Sequence, residues 1–66
     1  MAIENQVKKF RKQEDITQAE LAEEVGVSRQ TINAIETGKY DPSLELALKI
    51  ADFFDKSVEE LFKLEE

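Results

Sequence analysis

The stretch that decides the fold of this chain is TQAELAEEVGVSRQTINAIE, from Thr17 to Glu36. Thr17 with Glu20 three residues later forms a capping box, which predicts the start of a helix. Apolar side chains then recur at helical spacing, at Leu21, Ala22 and Val25. Gly26 follows them, and glycine adopts the positive φ that ends a helix without steric cost. The first half of the stretch therefore predicts a short helix over about residues 18–25 that ends in a tight turn.

A second helix is predicted directly after this turn. Ser28 can cap a helix over about residues 29–36, in which Ile32 and Ile35 face inward. Ala22 is small where the two helices should cross, so their backbones can approach closely. Two short helices joined in this way form a helix–turn–helix, whose second helix can enter the major groove of DNA.

The outer face of the second helix carries residues that suit base recognition. Arginine is the usual bidentate partner of guanine, and glutamine or asparagine can pair with adenine. Arg29, Gln30 and Asn33 are therefore candidate base-reading residues, and Ala34 or Thr31 could touch a thymine methyl group. Any surface helix shows a polar outer face, so this helix alone would not indicate DNA binding. Within the complete helix–turn–helix pattern, base reading is the preferred interpretation.

The pattern continues beyond the two helices and resembles a known family. The runs VSRQTINAIE at 27–36, GKY at 38–40 and PSLELALKIA at 42–51 are similar to those of the phage Cro/repressor (XRE-type) helix–turn–helix family. Its small stand-alone bacterial and archaeal regulators are the most similar members. The resemblance covers nearly the whole chain. It implies one domain, residues 1–66, with the all-α, five-helix architecture of lambda-repressor-like DNA-binding domains.

The same resemblance implies a set of phosphate contacts. Gln18 and Lys39 stand at the matching positions, and Ser28, Thr37 and Tyr40 complete the set of candidate phosphate contacts. In the family, the loop after the second helix also offers backbone N–H groups to phosphate. Gln18 stands at a helix N-terminus, where free N–H groups and the helix dipole favour an anion, although glutamine is also simply tolerated there. Tyr40 could bind a phosphate or pack on the domain, and the sequence leaves both open.

An ion pair between Arg11 and Glu36 is also implied by the resemblance. Glu36 stands at the end of the second helix, where the helix dipole disfavours an acid. Arg11 stands at the edge of the apolar face of a further helix, predicted over about residues 4–14. In the family the matching residues form a partly buried pair, which would explain both positions. The alternative is that both side chains are solvated.

The remaining elements follow from spacing and caps. A first helix is predicted over about residues 4–14, with Val7 and Phe10 on its apolar face. Its lysines form either a solvated face or a flank that approaches phosphate. Ser43 should cap a fourth helix over about residues 44–55, and the second capping box of Ser57 and Glu60 should start a fifth. Close relatives suggest that the chain ends, 2–4 and 63–65, pair as a short ribbon.

A homodimer is predicted from the apolar surface of the last third of the chain. The fourth helix is apolar nearly all round, which predicts contacts on more than one side. Helix–turn–helix proteins of this type commonly bind DNA as two-fold dimers. The residues expected at the contact are Val58, Leu61, Phe62 and Leu64, with Leu61 and Phe62 near its centre.

Composition narrows the function classes. The chain has 66 residues without cysteine or histidine, which removes the usual zinc sites and histidine-based catalysis. We therefore expect no enzyme activity, metal or cofactor, and no small-molecule ligand is evident. The lack of a membrane span or signal pattern leads us to expect a cytoplasmic protein that does not bind membranes.

Charge leaves two functions open. The net charge of −6 is unusual for a DNA-binding domain, but residues 28–42 are neutral and residues 1–14 carry +2. An acidic surface is also typical of proteins from a high-salt cytoplasm. The preferred interpretation is a transcriptional regulator, a repressor in the simplest mode, that binds a palindromic operator in double-stranded DNA as a homodimer. The alternative is an antitoxin-like or other protein-interaction module of the same fold.

Overall fold

Short capped helices account for most of the chain in the computed structural model, which describes residues 3–65. The helices are α1 (Val7–Gln13), α2 (Gln18–Val25), α3 (Arg29–Glu36), α4 (Leu44–Phe54) and α5 (Val58–Leu61), and the strands are β1 (Ile3–Asn5) and β2 (Phe62–Leu64). The helix–turn–helix is α2 with α3. The predicted five-helix fold with a short terminal ribbon is confirmed. No helix among the described residues is long and apolar enough to cross a membrane.

Side-chain caps start four of the five helices. The predicted caps are Thr17, Ser28, Ser43 and Ser57, and each accepts a hydrogen bond from the backbone N–H three residues later. Thr17 and Ser57 each form a complete capping box, with Glu20 and Glu60 respectively. Each cap satisfies backbone N–H groups that the helix itself cannot pair.

Each of the helices α1 to α4 is followed, one or two positions after its last residue, by a residue in the left-handed conformation. These residues are Asp15, Gly26, Gly38 and Asp55. In each case the following N–H bonds back to a carbonyl of the last helical turn, as Lys39 does to Ala34 at 2.9 Å. This is the Schellman arrangement, in which glycine is preferred because it has no Cβ. Asp15 and Asp55 therefore occupy, at φ of 57° and 56°, positions that glycine would fill with less strain.

One apolar core lies between the helices and extends to α5. Its buried members are Val7, Leu21, Ala22, Val25, Ile32, Ile35, Leu46, Ile50, Ala51, Phe54 and Leu61. Leu61 is 0% exposed within the single chain, so its predicted place at the centre of a dimer contact is wrong. Val58 and Phe62 are half-buried against the same core. Of the four residues predicted at the contact, Leu64 alone is largely exposed, at 65%.

The terminal ribbon corrects the predicted start of the first helix and the predicted bounds of the ribbon itself. β1 and β2 are antiparallel, with Ile3 opposite Leu64 and Asn5 opposite Phe62. The first helix therefore starts at Val7 rather than near residue 4, because residues 3–5 are in the ladder. The fifth helix ends at Leu61, so Phe62 belongs to a strand. The ribbon lies one residue inward of its predicted position at each end, and Ala2 lies outside the described residues.

Candidate nucleic-acid interface

Helix α3 is held by its inner face and presents its outer face to solvent. Ile32 and Ile35 are fully buried in the core. Arg29, Gln30 and Asn33 are exposed, and Ala34 beside them is half-buried. Successive residues of a helix are about 100° apart, so these four residues lie on the side of α3 opposite the core. The structure thus brings together four of the five predicted base-reading residues.

Thr31 does not share this face. It lies about 100° from Gln30, on the side away from Asn33. Its side chain is half-buried and lines a surface depression with Val27 and Leu46. Its hydroxyl forms a 3.0 Å hydrogen bond with that of Ser28. Its prediction as a base-reading residue is therefore not supported by the position of its side chain.

A hydrogen-bonded ion pair fixes the C-terminal end of α3. Arg11 donates through Nε to Glu36 Oε2 at 2.7 Å and through Nη2 to Oε1 at 3.1 Å. Its Nη1 donates to the carbonyl of Ile16 at 2.9 Å. The side chains of Arg11 and Glu36 are only 11% and 2% exposed, so this is the buried pair rather than the solvated alternative. The hydrogen bond to Glu36, opposed by burial and supported by the carboxylate charge, raises the pKa of Arg11.

Gln18 is attached to the same carboxylate. Its Nε2 donates to Glu36 Oε1 at 3.0 Å, and its side chain is partly buried. Because a carboxamide has two N–H donors, this contact leaves one N–H of Gln18 for another acceptor. Glu36 consequently joins α1, α2 and α3 at one point, at the C-terminal end of α3.

The loop after α3 differs from the expectation of backbone phosphate contacts. The N–H groups of residues 37–40 all donate to carbonyls of α3, at 2.9 to 3.2 Å. The Thr37 hydroxyl donates to the carbonyl of Asn33 at 2.9 Å, so Thr37 has no free donor for a phosphate. These donors are occupied in the isolated chain because the chain turns back to close the end of α3. Lys39 is exposed and Tyr40 is 46% exposed, so both side chains remain accessible.

The acidic side chains of α2 occupy a different surface. Glu23 and Glu24 line a groove with Asp52 and Phe53 of α4. No residue of α3 lines this groove. The carboxylates of this groove are therefore separate from the outer face of α3, which limits their repulsion of any polyanion bound there.

Comparison with known proteins identifies the family. The helix–turn–helix family model matches residues 7–61, which include all five helices and both residues of the buried ion pair. The chain belongs to this helix–turn–helix family. The XRE-type resemblance of the sequence is confirmed, and so is the prediction that the protein is not an enzyme, because the relatives that match over nearly the whole chain are named as transcriptional regulators.

Two relatives and one solved structure show the extent of the match. An uncharacterized HTH-type transcriptional regulator from Methanocaldococcus jannaschii is 53% identical over 64 residues, 97% of each chain. A similarly named regulator from Bacillus subtilis is 50% identical over 64 residues, again 97% of each chain. Among solved structures, the N-terminal DNA binding domain of SinR from Bacillus subtilis superposes with a TM-score of 0.75 and 31% identity, covering 82% of this chain and 80% of that chain.

The sequence did not predict a role for one residue of this helix–turn–helix domain, Asn5. Asn5 Nδ2 donates to the carbonyl of Ile35 in α3 at 2.8 Å, across 30 positions of sequence. Its Oδ1 accepts from the N–H of Val7 at 3.2 Å, at the start of α1. An asparagine just before a helix is typical of the second contact, but the helix predicted from about residue 4 included Asn5, and no local signal predicts the first contact.

Proposed function

We propose that this protein is a sequence-specific DNA-binding transcriptional regulator of the cytoplasm, with α3 as its reading helix. The observation that carries the proposal is the exposed set of Arg29, Gln30, Asn33 and Ala34 on a helix whose opposite side is fully buried. These side-chain types match the donor and acceptor pattern of the major groove. The structural similarity to a DNA-binding domain and the relatives named as transcriptional regulators support the same function.

Phosphate contacts flank the reading helix in this proposal. Lys39 supplies a free ammonium group just after α3, and Ser28 and Tyr40 supply exposed hydroxyls. Gln18 contributes the N–H that Glu36 leaves free. Thr37 is left out because its hydroxyl already donates to its own helix. The net charge of −6 lowers the affinity for random DNA, so binding depends strongly on base contacts and on salt.

The regulator acts as a homodimer on a palindromic operator and represses by blocking access. Two reading helices about 34 Å apart then contact successive major grooves on one face of the duplex. With Leu61 buried, we place the dimer contact on α4, where Leu44 and Leu48 are one turn apart and 73% and 52% exposed. Leu48→Glu should give a folded monomer in analytical ultracentrifugation. A wild type that is monomeric at tens of micromolar would refute the dimer.

Selection of bound duplexes from a random pool at low salt tests the function itself. The expected result is an enriched palindrome whose half-sites are one helical turn apart. Enrichment of a single half-site would support DNA binding without the dimer. No enrichment, combined with retention of a specific partner protein, would favour the protein-interaction module instead.

Arg29→Ala tests base reading. Loss of a bidentate guanine contact should weaken operator binding by about 1–3 kcal/mol and relax the preference at one base pair in each half-site. Competition with operators substituted at each position measures this. An equal loss on all sequences would show that Arg29 contacts only phosphate.

Lys39→Ala tests the phosphate contact. Binding should weaken by a similar factor on operator and random DNA, and the slope of log affinity against log salt should fall by about one per site. Lys56→Ala is the matched control, because that exposed lysine follows α4 and its ammonium lies over the ring of Phe10, 5.5 Å from the ring centroid. Equal slopes for the wild type and Lys39→Ala would exclude the contact.

A further inference from the structure

The side chain of Asn5 connects the terminal ribbon to the reading helix. Asn5 lies in β1, opposite Phe62 of β2. Its amide group donates to the carbonyl of Ile35 at 2.8 Å, while its amide oxygen accepts from the N–H of Val7 at 3.2 Å. One partly buried side chain therefore contacts both the first turn of α1 and the last turn of α3.

The carbonyl that Asn5 reaches is part of the turn that places Lys39. The N–H of Gly38 also donates to Ile35 O, at 3.1 Å. The next N–H, that of Lys39, donates to Ala34 O at 2.9 Å. Asn5 thus binds the point where the reading helix ends and the loop with the candidate phosphate contact begins.

Three side chains from three different elements hold this end of α3. Arg11 of α1 and Gln18 of α2 bind the carboxylate of Glu36, and Asn5 of β1 binds the neighbouring carbonyl. The first two act on a side chain, which can change rotamer. Asn5 acts on the backbone itself, so its contact restrains the direction of the helix axis and of the loop.

We propose that Asn5 is a positioning residue of the DNA interface, which holds the reading helix and Lys39 in a fixed position relative to each other. The inference rests on the proposed DNA-binding function. Binding groups must stay within about 0.5 Å of their productive geometry, whereas a fold tolerates larger shifts at a helix end. Ile35 O keeps the N–H of Gly38 as a donor when Asn5 is replaced, so the domain still folds. Loss of Asn5 therefore affects operator recognition more than stability.

Asn5→Asp separates the two contacts of this side chain. An aspartate keeps the oxygen that accepts from Val7, at a helix N-terminus where a carboxylate is favoured. It lacks the N–H that reaches Ile35. Asn5→Ala removes both contacts and is the second variant. Ser57→Ala is the matched control, because Ser57 caps α5 through contacts confined to the first turn of that helix.

The experiment measures affinity for the selected operator and for random duplex over a range of salt, with the melting temperature of each variant. Asn5→Asp and Asn5→Ala should lower the ratio of operator to random affinity by about five- to tenfold, the factor that loss of one hydrogen bond gives. Ser57→Ala should lower the melting temperature and leave that ratio unchanged. Amide hydrogen exchange at Thr37 and Gly38 should accelerate in both Asn5 variants and not in Ser57→Ala.

Two results would overturn the proposal in distinguishable ways. If the wild type binds the operator while both Asn5 variants keep its affinity ratio, Asn5 contributes only to the fold and the positioning role is refuted. If the wild type binds neither duplex at low salt, the proposed function fails, and the role of Asn5 fails with it.

Discussion

Truncation of Arg11 should be among the most damaging changes at a polar residue in this domain. Glu36 accepts three hydrogen bonds, two from Arg11 and one from Gln18, and its side chain is 2% exposed. Arg11→Ala removes two of the three donors and all of the compensating charge. A buried charge stranded in this way typically costs about 3–5 kcal/mol. We expect Arg11→Ala to lower the free energy of unfolding by this amount.

Truncation of Glu36 should cost less. In Glu36→Ala the guanidinium of Arg11 keeps its 2.9 Å bond to the carbonyl of Ile16. Its long side chain is 11% exposed and can move its charged end towards water. The expected loss is about 2–3 kcal/mol, because one partner and a route to solvent remain. The asymmetry between the two variants follows from the unequal burial of the two charges.

Urea unfolding of the two single variants and the double variant measures the pair directly. The double variant should lose less than the sum of the singles, with a coupling of about 1–3 kcal/mol. Lys49 and Glu45 supply the control cycle, since that pair is 54% and 80% exposed and should give about 0.5 kcal/mol or less. Additive losses for Arg11 and Glu36, or single losses below about 1 kcal/mol, would refute the reasoning. Because the pKa of Arg11 is raised, the contribution of the pair is fully present below the ordinary pKa of arginine and does not fade near neutral pH.

Three further predictions concern the fold. Leu61→Ala should cost about 2–5 kcal/mol in chemical unfolding, and Leu61→Glu should prevent folding; a folded Leu61→Glu monomer would restore this residue to a dimer contact. Asp55→Gly should raise the melting temperature by about 4–8 °C, because glycine removes both the strain of a left-handed aspartate and the unfavourable interaction of an acid with the helix C-terminus. Together these changes should stabilise the fold by about 1 kcal/mol, and an unchanged or lower melting temperature would contradict this. Hydrogen bonds from the backbone N–H and then the hydroxyl of Ser57 lower the pKa of Glu60 below its ordinary 4.5. The capping box therefore stabilises α5 above that pH and weakens as the pH falls through the lowered pKa, so Ser57→Ala should reduce the difference in stability between neutral and acid solution.

Local signals were sufficient for the helices and for the helix–turn–helix itself. A capping box is a contact between residues three apart, as in Thr17 with Glu20, so it can be read directly from the sequence. The turn at Gly26 depends on the backbone freedom of one residue, whose φ is 78°. Two aspartates at the same kind of turn, Asp15 and Asp55, were not predicted because aspartate has no comparable preference for the left-handed conformation.

The sequence by itself determined the five helices, the family and the exposed set around Arg29, because these depend on neighbours within one or two helical turns. Only the tertiary structure decided which groups remain free for a partner. The hydrogen bonds from Gln18 to Glu36 and from Asn5 to Ile35 join residues 18 and 30 positions apart. The burial of Leu61 likewise depends on how the elements pack. Such contacts leave no periodic pattern in a single sequence. Their existence depends on how α1, α3, α5 and the ribbon share one small core, where each polar group must find a partner or reach water.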